Sequence, residues 1–307
     1  MKNKKWSVLV LTLMLALTWL TGCTGSASPG SGISVTDMEG REVQLSEPAT
    51  KVVALTAADC EILYAVGAGS ALVGRGEFCD YPAEVLDVVA VQSGSETNIE
   101  QIISLKPNAV LMASMAQSPE QVEALESAGI PVVVSNAQDI AGVYTAIQMI
   151  GTVVGKDAEA KALVEQMKSG FQAVADKVAD SQGEASIYFE VSPLEYGLWT
   201  SGKSTFMDEI STMLGLTNVF ADIDGWAEIS QEQVIERNPD HIVTIAMYFG
   251  EGTPPADEIM GRSGWDAITA IVEKQVYNLD GNEFSRPGPR LVDAANSLFN
   301  AVYDAAQ

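Results

Sequence analysis

Apolar positions along the chain follow two periods in turn. The runs Val52-Val-Ala-Leu55, Ala71-Leu-Val-Gly74, Ile130-Pro-Val-Val-Val134, Ala185-Ser-Ile-Tyr-Phe-Glu-Val191, Ile242-Val-Thr-Ile-Ala246 and Val276-Tyr-Asn-Leu279 are almost continuous. That is the pattern of strands buried on both faces. Between them apolar residues recur at three- and four-residue steps, predicting helices from about Asp59 to Val66, Met207 to Leu214 and Arg290 to Ala305. Strands alternating with helices predict parallel sheets covered on both sides. Val35 to Leu45 predicts a small hairpin with Gly40 in its turn. From Asp157 to about Ala179 there is no proline, and Leu163, Met167, Phe171, Val174 and Val178 make one apolar stripe. At 1.5 Å per residue that helix is about 35 Å long, the width of a small domain, and it predicts a connector.

The same pattern occurs twice. Glu100-Gln-Ile-Ile-Ser-Leu-Lys-Pro-Asn-Ala-Val110 recurs without a gap as Glu232-Gln-Val-Ile-Glu-Arg-Asn-Pro-Asp-His-Ile242. Each copy reads as an amphipathic helix, a Pro-(Asn/Asp) turn and a buried strand. A second pair, Glu61 to Gly67 and Glu209 to Gly215, ends in a glycine where a helix C-cap belongs. The expected fold is therefore α/β: two similar lobes with parallel-type sheets, joined by the long connecting helix, with a ligand cleft between them. The expected bounds are 33–138 for the first lobe, 139–183 for the connector and 184–307 for the second lobe.

The amino terminus adds a compartment. Lys2, Lys4 and Lys5 precede an apolar run from Trp6 to about Leu20, the layout of an export leader over residues 1–22. The run ends in Leu20-Thr21-Gly22-Cys23, which resembles the lipobox of bacterial lipoproteins. That resemblance implies cleavage before Cys23 and a lipid on its thiol. Residues 23–32, rich in Gly, Ser and Pro, read as a flexible tether. The expectation is a protein held by a lipid anchor on the extracytoplasmic face of the cell membrane. With 17 basic residues against 41 acidic ones, the net charge of −24 excludes nucleic-acid partners, which need clustered Lys and Arg. Outside the cytoplasm Cys60 and Cys79 have two open states, a disulfide or free thiols.

Gly-x-Ser-x-Gly and His-Glu-x-x-His are absent. Gly197-Leu-Trp-Thr-Ser-Gly-Lys-Ser204 satisfies the phosphate-loop spacing, but Leu198 and Trp199 are bulky where a phosphate must approach the backbone. Asp80, Glu195 and Asp280 have no spacing that pairs them as acid and base. No catalytic residue, cofactor or bound metal is assigned, and the chain is not expected to be an enzyme. His241, the only histidine, stands at the amino end of a strand and reads as structural.

Leader, hairpin, paired lobes and connector together resemble the substrate-binding lipoproteins of ABC importers for iron-siderophore, haem and vitamin B12. The most specific stretches are Asp80-Tyr-Pro82, Asn98-Ile-Glu100 with Lys106-Pro-Asn108, Thr200-Ser-Gly-Lys203, Trp226 with Ser230-Gln-Glu232, and Arg286-Pro-Gly-Pro-Arg290. The resemblance implies a monomer that captures a small-molecule metal chelate and delivers it to a permease dimer. Glu100 and Glu232 would dock the two lobes onto permease arginines. In open α/β sheets ligands bind beyond the carboxyl ends of the strands. The expected ligand-binding residues are Phe78, Tyr81, Trp199, Trp226, Tyr248, Phe284 and Arg286. A corrinoid is the favoured ligand, with a ferric siderophore or haem as the alternative; Arg75, Arg286 and Arg290 could neutralise an anionic one. Two departures bear on the corrinoid: Gly94 stands where that branch has a tryptophan, and Asn282 where it has an acid.

Overall fold

The computed structural model describes residues 32–113, 118–178 and 185–304. The leader, Cys23 and the tether as far as Ser31 lie outside the described residues. The first half opens with an antiparallel hairpin, β1 (Ile33–Thr36) and β2 (Glu42–Leu45), with Gly40 in its turn at φ 77°. Then follow β3 (Val52–Ala54), α1 (Ala57–Ala65), β4 (Leu72–Gly76), β5 (Ala90–Val91), α2 (Ile99–Ser104), β6 (Ala109–Met112), α3 (Pro119–Ser127) and β7 (Val132–Val134). Five of these strands form one parallel sheet in the order β5-β4-β3-β6-β7. Strands β3, β6 and β7 are buried along their whole length, as their unbroken apolar sequences require.

Two antiparallel helices link the halves, α4 (Ile140–Val153) and α5 (Asp157–Val178). The longer one buries Ala160, Val164, Met167, Phe171, Val174 and Val178. These steps of four and three make a continuous stripe, which passes through Val164 and leaves the predicted Leu163 half-buried beside it. Gly170 lets the next helix of the stack come close: a Cβ there would lie 2.6 Å from a methyl of Val292.

The second half comprises β8 (Ser186–Glu190), β9 (Leu198–Ser201), α6 (Phe206–Met213), β10 (Thr217–Asn218), β11 (Trp226–Ile229), α7 (Gln231–Arg237) and β12 (His241–Thr244). It ends with α8 (Pro255–Met260), α9 (Thr269–Val272), β13 (Val276–Asn278), α10 (Gly281–Ser285) and α11 (Leu291–Phe299). Its parallel sheet runs β10-β8-β12-β13, and β9 pairs antiparallel with β11 in a separate ribbon. The phosphate-loop spacing of Gly197–Ser204 thus contains a strand whose backbone is committed to β11, from Leu198↔Ile229 to Ser201↔Trp226. No helix among the described residues is long and apolar enough to cross a membrane.

The repeat is visible in three dimensions. Gly67 and Gly215 both stand at φ 71° just past the matched helices α1 and α6. Lys106 and Asn238, matched in the longer block, are both left-handed, at φ 52° and 46°. A left-handed residue costs a non-glycine side chain about 1 kcal/mol, and both copies carry that cost at the same place.

Candidate functional site

Strand ends and interface contacts define the site. The carboxyl ends of β3, β6 and β7 lead into Thr56–Asp59, Ala113 and Ser135–Gln138, and these meet Ser285–Pro287 from the end of the chain around a cavity of about 180 Å³. Thr56 caps α1 by accepting from the Asp59 N–H at 3.2 Å. Its hydroxyl also donates to one carboxylate oxygen of Asp59 at 2.6 Å, while the Ser135 hydroxyl donates to the other at 2.7 Å. Asp59 is fully buried, and burial raises its pKa against the pull of those two hydroxyls.

Next to it the two halves are joined by ion pairs. Glu61, buried in α1, accepts from Arg290 Nε at 2.9 Å and Nη2 at 2.7 Å, and from Arg286 Nη1 at 3.0 Å. Arg286 also reaches Asp80 at 2.6 Å. Burial works to raise the Asp80 pKa, but the hydrogen bond and charge of Arg286 outweigh it and hold the carboxyl below its ordinary value. The Arg290 guanidinium stacks 4.3 Å above the Tyr81 ring. Arg75 spends its donors on the carbonyls of Val88, Gly76, Glu77 and Cys79. The three arginines considered for an anionic ligand are therefore already paired within the protein.

A second crossing lies on Gln138. Its backbone carbonyl accepts from Phe206 N at 2.9 Å, and its side-chain carbonyl from Trp226 Nε1 at 3.0 Å. Trp226 is half-buried with its ring 5.4 Å from that of Phe206. Glu209, the repeat counterpart of Glu61, accepts from the Ile140 N–H at 2.7 Å, and burial raises its pKa.

The predicted ligand residues divide into groups. Phe78, Tyr81, Trp199 and Tyr248 are exposed side chains. Phe78 lies in the loop whose carbonyl receives Arg286 at 3.4 Å. Tyr81 lines a groove with Glu61, Arg290 and the connector helix. Tyr248 lines a cavity of about 570 Å³ in the second half, with Glu190, Glu195, Met247, Phe249 and Glu258. Behind its lining Arg262 forks onto Glu190 at 2.7 and 2.9 Å, a buried pair. The small cavity between the halves includes Arg286 but none of the predicted aromatic rings. Phe284 is a correction: it is completely buried in the main core, on the inward face of α10, and offers no surface to a ligand.

Glu100 and Glu232 are exposed in the first turns of α2 and α7, capped by Asn98 and Ser230. Hydrogen bonding from the helix backbone and Ser230 lowers the Glu232 pKa. His241 is half-buried and stacked on Tyr277, and burial lowers its pKa. Cys60 and Cys79 are free and buried, and their hydrogen bond to one another, with burial, pushes the Cys60 thiol up. Among the described residues no group of three or more His, Cys, Asp or Glu is arranged to hold a metal ion.

Asp59, Glu61, Ser135 and Gln138 escaped the sequence reading. Glu61 had a signal, its place in the repeat; the others depend on pairings across the sheets.

An uncharacterized ABC transporter substrate-binding lipoprotein of Bacillus subtilis, YvrC, is 33% identical over 98% of both chains. The vitamin B12-binding protein of Salmonella choleraesuis is 28% identical over 83% of this chain and 90% of its own. Among solved structures, a possible iron-binding (periplasmic solute-binding) protein of Staphylococcus epidermidis superposes with a TM-score of 0.73 at 28% identity, covering 84% of this chain and 100% of its own. Residues 52–283 match the family described as periplasmic binding protein, a span that takes in both parallel sheets and the connector. The chain belongs to the periplasmic binding protein family.

Proposed function

We propose that this chain is an extracytoplasmic substrate-binding lipoprotein of an ABC importer, which captures a metal chelate between its halves and delivers it to the permease. The observation that carries the reading is the meeting of strand-end loops from both halves around one interface, the position where open α/β sheets bind ligands. Similarity to an ABC transporter substrate-binding lipoprotein and to a vitamin B12-binding protein supports the transport role. The cavity is smaller than the few hundred Å³ of a typical ligand pocket, so the chelate rests in the mouth of the cleft against exposed rings such as Phe78 and Trp199.

A corrinoid is the favoured ligand. The pairing of Arg286 and Arg290 with Glu61 and Asp80, and the buried carboxyl of Asp59, favour a ligand without carboxylates. The second reading, a ferric siderophore or haem, is supported by the description of the Staphylococcus epidermidis structure as a possible iron-binding protein. Titrating cobalamin, cobinamide, haemin and ferric siderophores against tryptophan fluorescence separates the two. Saturable quenching by the corrinoids is expected. Quenching by haemin or a siderophore alone overturns the ligand and keeps the transport role.

Membrane attachment through Cys23 and docking through Glu100 and Glu232 belong to the same proposal. Cys23→Ser should release the protein or leave it unprocessed. Reversing both glutamates to lysine should abolish transport while ligand affinity stays within about a factor of three, because their exposed helix starts lie apart from the cavity.

A further inference from the structure

The two repeated blocks have the same exposure pattern. Residues 99–110 and 231–242 match class for class except at Ala109 and His241. Four matched pairs are exposed in both copies: Glu100 with Glu232, Ile103 with Ile235, Ser104 with Glu236, and Lys106 with Asn238. Two of the four have diverged in chemistry. The two that have not are the glutamates and the isoleucines.

An exposed isoleucine needs no explanation when it stands alone. Here Ile103 is 40% exposed and Ile235 39%, on helices of six and seven residues. The inward faces of those helices are already filled by Ile102 and Val234, both fully buried. Neither exposed isoleucine serves the core, and a β-branched apolar side chain on the solvent face of so short a helix adds nothing to helix formation. Each stands three residues after its glutamate, so carboxylate and apolar side chain share one helix face.

We propose that Ile103 with Glu100, and Ile235 with Glu232, form two equivalent contact patches for a pair of identical membrane subunits related by a two-fold axis. The inference rests on the transport reading above and adds the apolar half of the docking surface. The occupant follows from the duplication: two like patches on one chain are matched by two like receptors, each offering a basic side chain beside an apolar surface. The carboxylate orients the encounter and its effect fades with salt; the isoleucine excludes water from the contact and its effect does not.

The test uses the mature chain and the host's importer reconstituted in nanodiscs, with binding of labelled protein read by anisotropy. Ile103→Thr with Ile235→Thr keeps the β-branched shape and the fold, which circular dichroism checks, and removes apolar contact. Expected are an unchanged cobalamin or haemin titration and a loss of importer affinity of about tenfold or more, equal at 0.1 and 0.5 M NaCl. The Glu100→Gln, Glu232→Gln pair should lose affinity mainly at low salt. Wild-type affinity of the threonine pair, alongside loss in the glutamine pair, overturns the apolar patch and keeps glutamate docking. Wild-type affinity of both pairs overturns docking by these helices altogether. Self-association of the wild-type chain in the ultracentrifuge, lost in the threonine pair, makes the patch a contact between copies and overturns the proposal.

Discussion

The indole N–H of Trp226 donates to the side-chain carbonyl of Gln138 at 3.0 Å, joining a strand of the second half to the last loop of the first. The ring itself rests on Phe206. Trp226→Phe keeps an aromatic ring and removes the donor, so it should cost about 0.5–1.5 kcal/mol in urea unfolding. Gln138→Ala should cost a similar amount, and the double variant should fall short of the sum. Strict additivity would show that the bond contributes nothing.

Phe78, proposed to face the ligand, and Phe284, packed in the core, should respond differently to truncation. Phe78 is 72% exposed and Phe284 0%. Phe284→Ala should destabilise the protein by about 3–5 kcal/mol through the cavity it leaves. Phe78→Ala should leave the unfolding midpoint within about 0.5 kcal/mol and weaken ligand affinity. Equal stability losses in the two variants would contradict this division.

Glu61 is the buried counter-charge of Arg290 and one of two carboxylates on Arg286, which also holds Asp80. Glu61→Ala should therefore cost about 3–5 kcal/mol, measured as the urea midpoint. Glu165→Ala, which breaks an exposed i,i+3 pair with Lys168, should leave the urea midpoint nearly unchanged. A loss at Glu61 no larger than at Glu165 would mean the arginines find other partners.

Asp59 gives a pH signature. Burial raises its folded-state pKa above the ordinary value of 3.8, so between the two values the folded chain holds the proton more tightly than the unfolded chain does. Stability then falls as pH rises through that window, and the buried charge is a full cost above it. Asp59→Asn removes the charge while the hydroxyls of Thr56 and Ser135 can still turn to the amide. The variant should be the more stable at pH 7, with the difference disappearing as pH falls towards about 4. Urea midpoints at intervals between those limits check this, and a difference that does not change with pH sinks it.

Sequence alone disclosed what depends on short spacings. The paired blocks, the hairpin turning at Gly40 and the connector helix were legible because each is carried by neighbours within a few turns. Phe284 was misplaced because an aromatic near a predicted strand end looks the same whether its helix turns it inwards or outwards. The strand hidden in Gly197–Ser204 was missed because its partner, Trp226 to Ile229, lies about 25 residues on and carries no complementary pattern. Arg286 and Arg290 had an evident charge, but their neutralisation depends on Glu61, across a loop closure of 225 and 229 residues.

That closure sets an order of assembly. Glu61 and its two arginines are 225 and 229 residues apart. A chain made from its amino end must therefore carry Glu61 in water, unpaired, until almost every other residue has been added. The first sheet can collect its strands early, yet the acid on its covering helix has no reason to leave solvent until the last helix arrives. A product truncated anywhere before Arg286 would leave Glu61 without either arginine. Pairing of that one carboxylate thus reports that synthesis has passed Arg290.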